Sequence, residues 1–570
     1  MKKAQVKTFN WRRYFALSLI LLVFVVIFMR AVQLQLLDAE FYEQKGIKTQ
    51  VGVAEIPAHR GVIKDRHGEA LAISTPVYSI SANPRVILQN PESILSVARI
   101  LQMDPAQLRS KIESRAEKYF VYLKRHVPPT VHEAIIDSKL AGVFSQEEYR
   151  RYYPARDMLA HVIGLTNIDG QGIDGIEHAY DDWLHAQPGK KRVLLDGKRQ
   201  VIADIESIEA PKQGNELVLS IDKRIQYLAH RELKRAVQEH AAASGSVVVL
   251  SVATGEVLAL TNQPVFNPND RSNTIHNQMR NRAITDRFEP GSTIKPFLLA
   301  ASLEQDIHNL DDAIDTAPGH FQYGQLKVTD ASNYGQITMS TLLAKSSNIG
   351  AVKVALNMEP ADIWSLYQAV GFGQLTGSGM TGEIEGELES YSEWNKLQRA
   401  TIAYGYGMST TVLQLARAYN VLANNGVLLP VTFIAHQDKP QGTRVISVAT
   451  TTAILKMMRA VVSTEGTGSR AQMKSYSSAG KTGTSKKFIK GGYSEEDYVA
   501  LFAGFAPYNN PQIVVVVMVD TPTTNGYSGG LVAAPVFAKI AEGSLRLMNV
   551  VPDQINPSEG QIVLAGGGDK

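Results

Sequence analysis

The chain has 570 residues, of which 44% are hydrophobic and 20% charged, as in an ordinary globular protein of two or three domains. Its formal net charge is +3, and no basic stripe interleaved with aromatic side chains is present, so no nucleic-acid partner is expected. The chain has no cysteine, which excludes disulfides, thiolate metal sites and cysteine nucleophiles. Its 13 histidines form no metal-spaced cluster, and neither a metal nor a cofactor is expected.

An uncharged apolar segment lies near the N-terminus. Residues 14–29 would extend about 24 Å as a helix, and residues 31–37 lengthen the segment beyond Arg30. Five basic residues precede it and three acids follow it, namely Lys2, Lys3, Lys7, Arg12 and Arg13, then Asp38, Glu40 and Glu43. The positive-inside rule therefore predicts a cytoplasmic tail over residues 1–13, a transmembrane helix over residues 14–37 and export of the remainder.

Two questions about this segment stay open. A cleaved signal peptide is the alternative to an anchor, but the apolar run is long and residues 29–33 form a poor cleavage site. Arg30 either snorkels to the membrane interface or faces a partner helix within the membrane.

The next part of the chain, residues 38–220, mixes short strands, turns and helices. A strand followed by a turn is expected over residues 59–69, and prolines open predicted helices over residues 91–103 and 105–116. The acidic, glycine-rich run 169–174 resembles a calcium loop, but it lacks the required spacing and is better explained by a turn that leads into a helix. Residues 187–204 are typical of a solvated hairpin.

Residues 221–550 begin with a helix that Asp222 can cap. Hairpins are predicted at both ends of this part, with strands over residues 246–251 and 256–261 and over residues 498–507 and 512–520. The chain between them is mostly helical, which predicts one antiparallel sheet built from the two ends and covered by helices. A final helix over residues 533–548 is followed by a predicted flexible tail over residues 551–570.

A serine with a lysine three residues later stands at the start of a predicted helix over residues 293–303. Pro290 and Gly291 form a turn, so Ser292 lies at the positive end of that helix and Lys295 lies on the same face. A serine hydroxyl needs an adjacent base before it attacks a carbonyl. Lysine is such a base when desolvation or a neighbouring cation lowers its pKa below ~10.4, and Lys481 is a candidate for that cation.

The second motif is Ser346-Ser347-Asn348, which leads into helical residues 349–356. A hydroxyl at Ser346 can relay a proton, and an amide at Asn348 can hold both Lys295 and the peptide group of a substrate.

The third motif, Lys481-Thr482-Gly483-Thr484, is typical of an edge strand, where Gly483 would let a substrate backbone approach closely. The backbone N–H groups of Ser292 and Thr484 are candidates for an oxyanion hole. Lys481 and the two threonine hydroxyls suit a substrate carboxylate.

Each motif alone is weak, but the order S-x-x-K, S-x-N and K-T-G is typical of penicillin-binding proteins and class A β-lactamases. Other motifs are weaker: Gly480-Lys481-Thr482 lacks the upstream glycine of a P-loop because position 475 is Ser475. Residues 526–530 fit G-x-S-x-G, but they lie in a turn-rich loop and no catalytic triad follows them.

Further motifs make the chain resemble a class B penicillin-binding protein of the division-specific, FtsI-like branch over nearly its whole length. They are residues 288–296, 404–407, 527–530 and 534–537 in the second half, and Arg60-Gly61, residues 65–68, 151–154 and 172–177 in the first. The resemblance implies an α+β multidomain fold with a transmembrane helix, an elongated α+β pedestal of the dimerisation type over residues 38–220, and a transpeptidase domain over residues 221–550. That last domain would be like serine β-lactamases, with an antiparallel sheet flanked by helices.

The implied activity is that of a D,D-transpeptidase that cross-links peptidoglycan. Ser292 would attack the D-Ala-D-Ala end of a stem peptide, release D-alanine and pass the acyl group to an amine on a neighbouring stem, and β-lactams would acylate the same serine. The expected catalytic residues are Ser292, Lys295, Ser346, Asn348, Lys481 and Thr484. The expected substrate-binding residues are Ser347, Thr482, Gly483, Tyr406 and Tyr527.

The resemblance also implies partners and a location. The chain would sit in the bacterial inner membrane with its catalytic domain in the periplasm, at the division septum. It would bind a SEDS-type, FtsW-like glycosyltransferase and other divisome membrane proteins. The alternatives are an elongation-specific member of the same family, a β-lactamase, and a non-catalytic β-lactam sensor or scaffold.

Overall fold

The computed structural model describes residues 10–42, 50–195, 201–436 and 438–554, which fall into two compact units. The smaller unit comprises residues 1–59, 76–149 and 186–213, and the larger unit comprises residues 60–75, 150–185 and 214–570. Neither unit is therefore a single continuous stretch of sequence.

The N-terminal segment is helical, as predicted. The helix Asn10–Val32 continues as a π-helical turn over Gln33–Leu37. The most apolar 18-residue window within residues 10–37 has a mean hydropathy of 2.8, and among the residues that the structure describes this is the one helix that is long and apolar enough to cross a membrane. A single-pass membrane anchor fits these properties.

In the smaller unit, several helices start at prolines, because the missing N–H of proline has no partner in the first turn of a helix anyway. These helices are Pro84–Ile87, Pro91–Leu101, Pro105–Glu113 and Pro129–Asp137. Antiparallel pairing joins residues 78–82 to the strand Val121–Val127. The buried core includes Ile94, Val97, Leu101, Leu108, Ile112, Val121 and Leu123.

The predicted solvated hairpin is present in the same unit. Strands Gly189–Leu195 and Val201–Glu209 pair antiparallel, and Val51–Ile56 pairs with the other side of Gly189–Leu195. The turn residues 196–200 lie outside the described residues.

The first half of the chain also contributes elements to the larger unit. The strand Ile63–Lys64 pairs in parallel with Leu217–Val218 and antiparallel with residues 70–72. Shorter elements of this part are Arg156–Leu159, Ala160–Ile163, Leu165–Thr166, Gly172–Asp174, Gly175–Ala179 and Asp181–Leu184. The run 169–174 thus leads through a short strand into a helix, as expected.

A buried carboxylate joins the motifs of this first half. Glu177 is completely buried and accepts from Arg60 Nε at 2.6 Å and from Arg151 Nε at 2.5 Å. A second nitrogen of Arg60 donates to Asp181 at 2.5 Å. A buried charge is costly unless an opposite charge pairs with it. The two arginines and the two carboxylates therefore stabilise one another in this buried position.

A five-stranded antiparallel sheet forms the centre of the larger unit. Its order is Val257–Gln263, Ser244–Ser251, Ile513–Asp520, Gly492–Ala506 and Ala479–Ile489. The two predicted hairpins meet in this sheet, because Ser244–Ser251 pairs with Ile513–Asp520. The strand Ala479–Ile489, called the edge strand below, is the outermost one, as predicted.

Both faces of the sheet are buried, since successive side chains of a strand point in opposite directions. Val247 and Val249 pack in a core with helices Lys223–Glu239 and Gly529–Leu547. Val248 and Leu250 pack in a second core with the remaining helices. Those helices include Lys295–Glu304, Met339–Lys345, Asn348–Leu356, Pro360–Ala369, Lys396–Thr401, Val412–Ala423 and Val448–Val461.

The part between the two hairpins is less purely helical than predicted. It also contains short antiparallel strand pairs, His320–Tyr323 with Leu326–Thr329 and Ile314–Asp315 with Gln336–Ile337. At the C-terminus, the Asp553 carboxylate accepts hydrogen bonds from Ser477. Residues 555–570 of the predicted tail lie outside the described residues.

Candidate active site

Ser292 lies in a single 3₁₀ turn, Gly291–Ile294, which leads directly into the helix Lys295–Glu304. We call Gly291–Ile294 the nucleophile turn. Gly291 has a φ of +53°, a value that glycine adopts at little cost. The Ser292 hydroxyl forms no hydrogen bond with any residue in the described part of the chain and is therefore free to meet a substrate.

Lys295 is fully buried, and its ammonium group donates three hydrogen bonds. Nζ donates to the carbonyl oxygen of Ser346 at 2.7 Å, to Asn348 Oδ1 at 2.8 Å and more weakly to Ser346 Oγ at 3.4 Å. Burial, and then the charge of Lys481, lower the pKa of Lys295 well below its usual value. A lowered pKa favours the uncharged form of the lysine, which is the form that can accept a proton as a base.

The middle motif occupies the junction of two helices. Ser346 ends the helix Met339–Lys345 in a left-handed conformation, with a φ of +58°. Non-glycine residues adopt this conformation at a cost of about 1–2 kcal/mol, so the rest of the structure must hold it in place. Ser347 then caps the helix Asn348–Leu356, where its Oγ accepts from Gly350 N–H at 2.9 Å. This reversal of the chain turns both Ser346 and Asn348 towards Lys295.

Lys481 approaches the same hydroxyl from the edge strand. It is fully buried, and its Nζ donates to Ser346 Oγ at 2.9 Å and to the carbonyl oxygen of Thr482 at 3.1 Å. Burial lowers the pKa of Lys481 to about 7. Ser346 Oγ thus lies between two buried lysines, an arrangement suited to passing a proton between them.

The remaining motif residues of the edge strand are held by neighbours. Thr482 Oγ1 donates to Thr467 Oγ1 at 2.9 Å, and Thr484 Oγ1 accepts from Gly529 N–H at 3.0 Å. A Cβ atom on Gly483 would lie 2.9 Å from Thr293 Cγ2 and 3.1 Å from the Pro290 oxygen. The nucleophile turn therefore packs so closely on the edge strand that position 483 requires glycine. This requirement is separate from any close approach of a substrate backbone to the same residue.

The two predicted substrate-binding tyrosines have aromatic partners. Tyr406 makes an edge-to-face contact with Tyr493 at 5.2 Å, and its hydroxyl accepts from Lys486 N–H at 3.2 Å. Tyr527 stacks on Tyr498 at 4.3 Å and is half exposed. Within the described residues, neither tyrosine is hydrogen-bonded to the lysines or serines of the three motifs.

The site also contains two acidic residues that no motif spacing predicted. Asp330 is hydrogen-bonded to Ser347 and to the backbone of Asn348. Glu289 accepts through Oε1 from Gly407 N–H and from the Tyr493 hydroxyl, both at 2.9 Å, and burial raises its pKa. Glu289 adjoins the nucleophile turn in sequence, whereas Asp330 follows a strand and has no distinguishing sequence signal.

Comparison with known proteins gives two family matches. The penicillin binding protein transpeptidase domain matches residues 245–542, and the penicillin-binding protein dimerisation domain matches residues 55–219. Both the catalytic motifs and the buried Arg60–Glu177 pair fall within these matches.

Individual relatives match over almost their whole length. PenA of Neisseria meningitidis serogroup A, named a probable peptidoglycan D,D-transpeptidase, is 37% identical over 97% of this chain and 96% of its own. The Escherichia coli K12 peptidoglycan D,D-transpeptidase FtsI is 37% identical over 96% of this chain and 94% of its own. A solved peptidoglycan synthetase from Bifidobacterium adolescentis, 25% identical, covers 89% of this chain and 98% of its own with a TM-score of 0.69. The chain belongs to the class B penicillin-binding proteins.

Proposed function

We propose that this protein is a peptidoglycan D,D-transpeptidase that works through an acyl-enzyme at Ser292. The observation that carries this proposal is the pair of buried lysines, Lys295 and Lys481, which share the Ser346 hydroxyl beside the nucleophile turn. Ser292 Oγ attacks the carbonyl carbon of the penultimate D-alanine, the peptide bond breaks, and the terminal D-alanine leaves with the added proton. An amine of a second stem peptide then attacks the ester carbonyl, a new peptide bond forms as the C–O bond to Ser292 breaks, and the proton lost by the amine returns to Ser292 Oγ.

Each motif residue has a role in this cycle. Lys295, uncharged, takes the proton of Ser292, and Ser346 relays it towards Lys481 and the leaving group. Asn348 Oδ1 accepts from Lys295 Nζ at 2.8 Å, and a contact with the substrate peptide group is assigned to the same amide. Thr484 completes the oxyanion hole through its N–H. The remaining substrate contacts are assigned to Ser347, Thr482, Gly483, Tyr406 and Tyr527.

Labelling by a fluorescent penicillin tests the catalytic assignment. Ser292→Ala removes the nucleophile, so we expect complete loss of covalent labelling, whereas the thermal midpoint stays within about 2 °C because the hydroxyl has no hydrogen-bonded partner. Ser528→Ala, in the G-x-S-x-G run, is the matched control and should label normally. Retained labelling of the Ser292 variant would refute the assignment, and release of the label within seconds would favour a β-lactamase instead.

We further propose that the protein acts at the division septum, beside an FtsW-like glycosyltransferase. Support comes from the similarity to FtsI and from the apolar helix 10–37, which fits a single-pass anchor with the N-terminus in the cytoplasm. A fluorescently tagged protein expressed in its own host should collect at midcell, and cross-linking from the helix should capture a polytopic membrane protein. Lateral patches would favour the elongation-specific alternative.

A further inference from the structure

Asp330 directly follows a small β-hairpin beside the middle motif. The hairpin consists of strands His320–Tyr323 and Leu326–Thr329, and we call it the capping hairpin. The Asp330 carboxylate reaches the first turn of the helix Asn348–Leu356. Its Oδ1 accepts from the backbone N–H of Asn348 at 2.6 Å and of Ile349 at 3.1 Å, and its Oδ2 accepts from Ser347 Oγ at 2.5 Å.

This carboxylate caps the helix from outside the helix's own sequence. The first N–H groups of a helix have no partner within it, and they carry a partial positive charge that favours an anion. Ser347 already satisfies Gly350 N–H. Asp330 satisfies the two N–H groups that Ser347 does not reach, so the start of this helix is held by the capping hairpin as well as by its own cap.

The same contacts fix the amide of Asn348. Its Oδ1 accepts from Lys295 Nζ at 2.8 Å, while its Nδ2 points to the carbonyl oxygen of Thr329 at 3.4 Å. Thr329 is the last residue of the capping hairpin and directly precedes Asp330. The hairpin therefore determines both where the amide lies and which of its ends faces the lysine.

We propose that Asp330 is a positioning residue for acylation: through the backbone of Asn348 it holds the amide oxygen against Lys295, so that the capping hairpin sets the reactivity of Ser292. The proposal rests on the proposed function of Ser292 and Lys295. Asp330 touches neither Ser292 nor Lys295 directly by a hydrogen bond among the described residues, so its effect passes through Ser347 and Asn348.

The charge of Asp330 supplies an effect that a purely structural residue would not have. Two charged groups face the buried ammonium of Lys295, namely Lys481 from the edge strand and Asp330 from the capping hairpin. Burial and Lys481 lower the pKa of Lys295, and Asp330 raises it. Because Lys295 must be uncharged to act as the base, acylation slows as the pH falls through this pKa. Removing the carboxylate should therefore move the acid limb of the rate profile to lower pH.

The test is the pH profile of the second-order acylation rate constant with a fluorescent penicillin, measured on the full-length protein. Asp330→Asn keeps the size of the side chain but loses its charge. We expect a rate about ten- to hundredfold lower at neutral pH, the effect of losing charge-assisted hydrogen bonds. We also expect the acid limb to move down by about one pH unit, as when an opposite charge is removed.

Asp330→Glu and Asp311→Asn serve as controls. Asp330→Glu keeps the carboxylate, so its acid limb should stay at the wild-type position even where the rate is lower. Asp311→Asn removes an exposed carboxylate of the same domain that is not hydrogen-bonded to the motifs, and its profile should be unchanged.

Three outcomes would overturn the proposal. They are an unchanged rate in Asp330→Asn, a rate loss with an unmoved acid limb, and an equal shift of the limb in Asp330→Glu. A failure of the proposed function gives a different result, because the wild-type protein itself would then not be labelled at Ser292.

Discussion

At the scale of single residues, the site depends on one hydroxyl that is shared by two buried lysines. Ser346 Oγ lies 2.9 Å from Lys481 Nζ and 3.4 Å from Lys295 Nζ. Two charged ammonium groups that contact the same hydroxyl repel each other, and burial removes the water that would screen them. The site therefore favours a state in which at least one lysine is neutral, and a neutral lysine is the base that a serine nucleophile requires.

Replacing one lysine should show this coupling. In Lys481→Met the neighbouring charge that lowers the pKa of Lys295 is absent, so the pKa of Lys295 rises. We expect the acid limb of the acylation profile to move to higher pH by about one unit, together with a large loss of rate. The direction is opposite to that expected for Asp330→Asn, and the same penicillin assay measures both.

Lys486→Met provides the matched control for Lys481→Met. Lys486 lies on the same edge strand, but its side chain is partly exposed and pairs with Glu495 rather than with Ser346. The acid limb of the acylation profile of Lys486→Met should coincide with that of the wild-type protein. An unmoved limb in Lys481→Met would show that the two lysines titrate independently.

At the scale of elements, the nucleophile turn is packed between the edge strand and the segment 404–407. Gly291 N–H donates to the carbonyl oxygen of Gly405 at 3.2 Å. A Cβ on Gly405 would lie 2.2 Å from the Gly291 oxygen, closer than atoms can approach. In Tyr404-Gly405-Tyr406-Gly407, the first glycine is therefore required by close contact with the nucleophile turn, which carries Ser292.

Two alanine substitutions separate this contact from backbone strain. Gly405 and Gly407 both have positive φ, +85° and +83°, but a Cβ on Gly407 would meet only Thr401 Oγ1 at 3.7 Å. Each variant should lose about 1–2 kcal/mol of unfolding free energy through the left-handed conformation. Only Gly405→Ala should displace the nucleophile turn and slow acylation, by about tenfold or more. Equal acylation rates in the two variants would contradict the role of this contact.

The sequence predicts elements well where a local physical signal is present. Apolar runs mark the strands of the two predicted hairpins, whereas the edge strand is predicted from the motif Lys481-Thr482-Gly483-Thr484. Prolines mark helix starts at Pro91 and Pro105. The strand Val143–Tyr152 has no such signal, because charged side chains interrupt its apolar alternation. The capping hairpin also lacks a sequence signal, because its short strands are mostly exposed and contribute little to the core.

The candidate site shows the same limit. Ser292, Lys295, Ser346, Asn348 and Lys481 are recognisable because each motif has a fixed short spacing. The structure joins Lys295, Ser346, Asn348 and Lys481 by hydrogen bonds, and Ser292 lies in the turn that leads directly into the helix of Lys295. Their chemical roles stay predictions until acylation is measured. Asp330 could not be predicted, because it is the fold of a separate hairpin that brings its carboxylate to Ser347.

At the scale of the whole molecule, the two compact units and the predicted domains divide the sequence differently. Residues 60–75 and 150–185 belong with the larger unit, although both precede residue 221, where the transpeptidase domain is predicted to begin. The boundaries at residues 38, 221 and 551 stay predictions. Periodicity reports local elements only, so it cannot show that distant segments such as Ile63–Lys64 and Leu217–Val218 share a sheet.

That parallel pair has a consequence for how the protein is made. A ribosome synthesises residue 63 well before residue 217, and at about 5–20 residues per second the first strand is made about 8–30 seconds before its partner. During this time Arg60 and Arg151 can already bind Glu177, because all three precede residue 217. All the charged partners of the buried carboxylate are thus synthesised before the strand Leu217–Val218, on which the parallel pair depends.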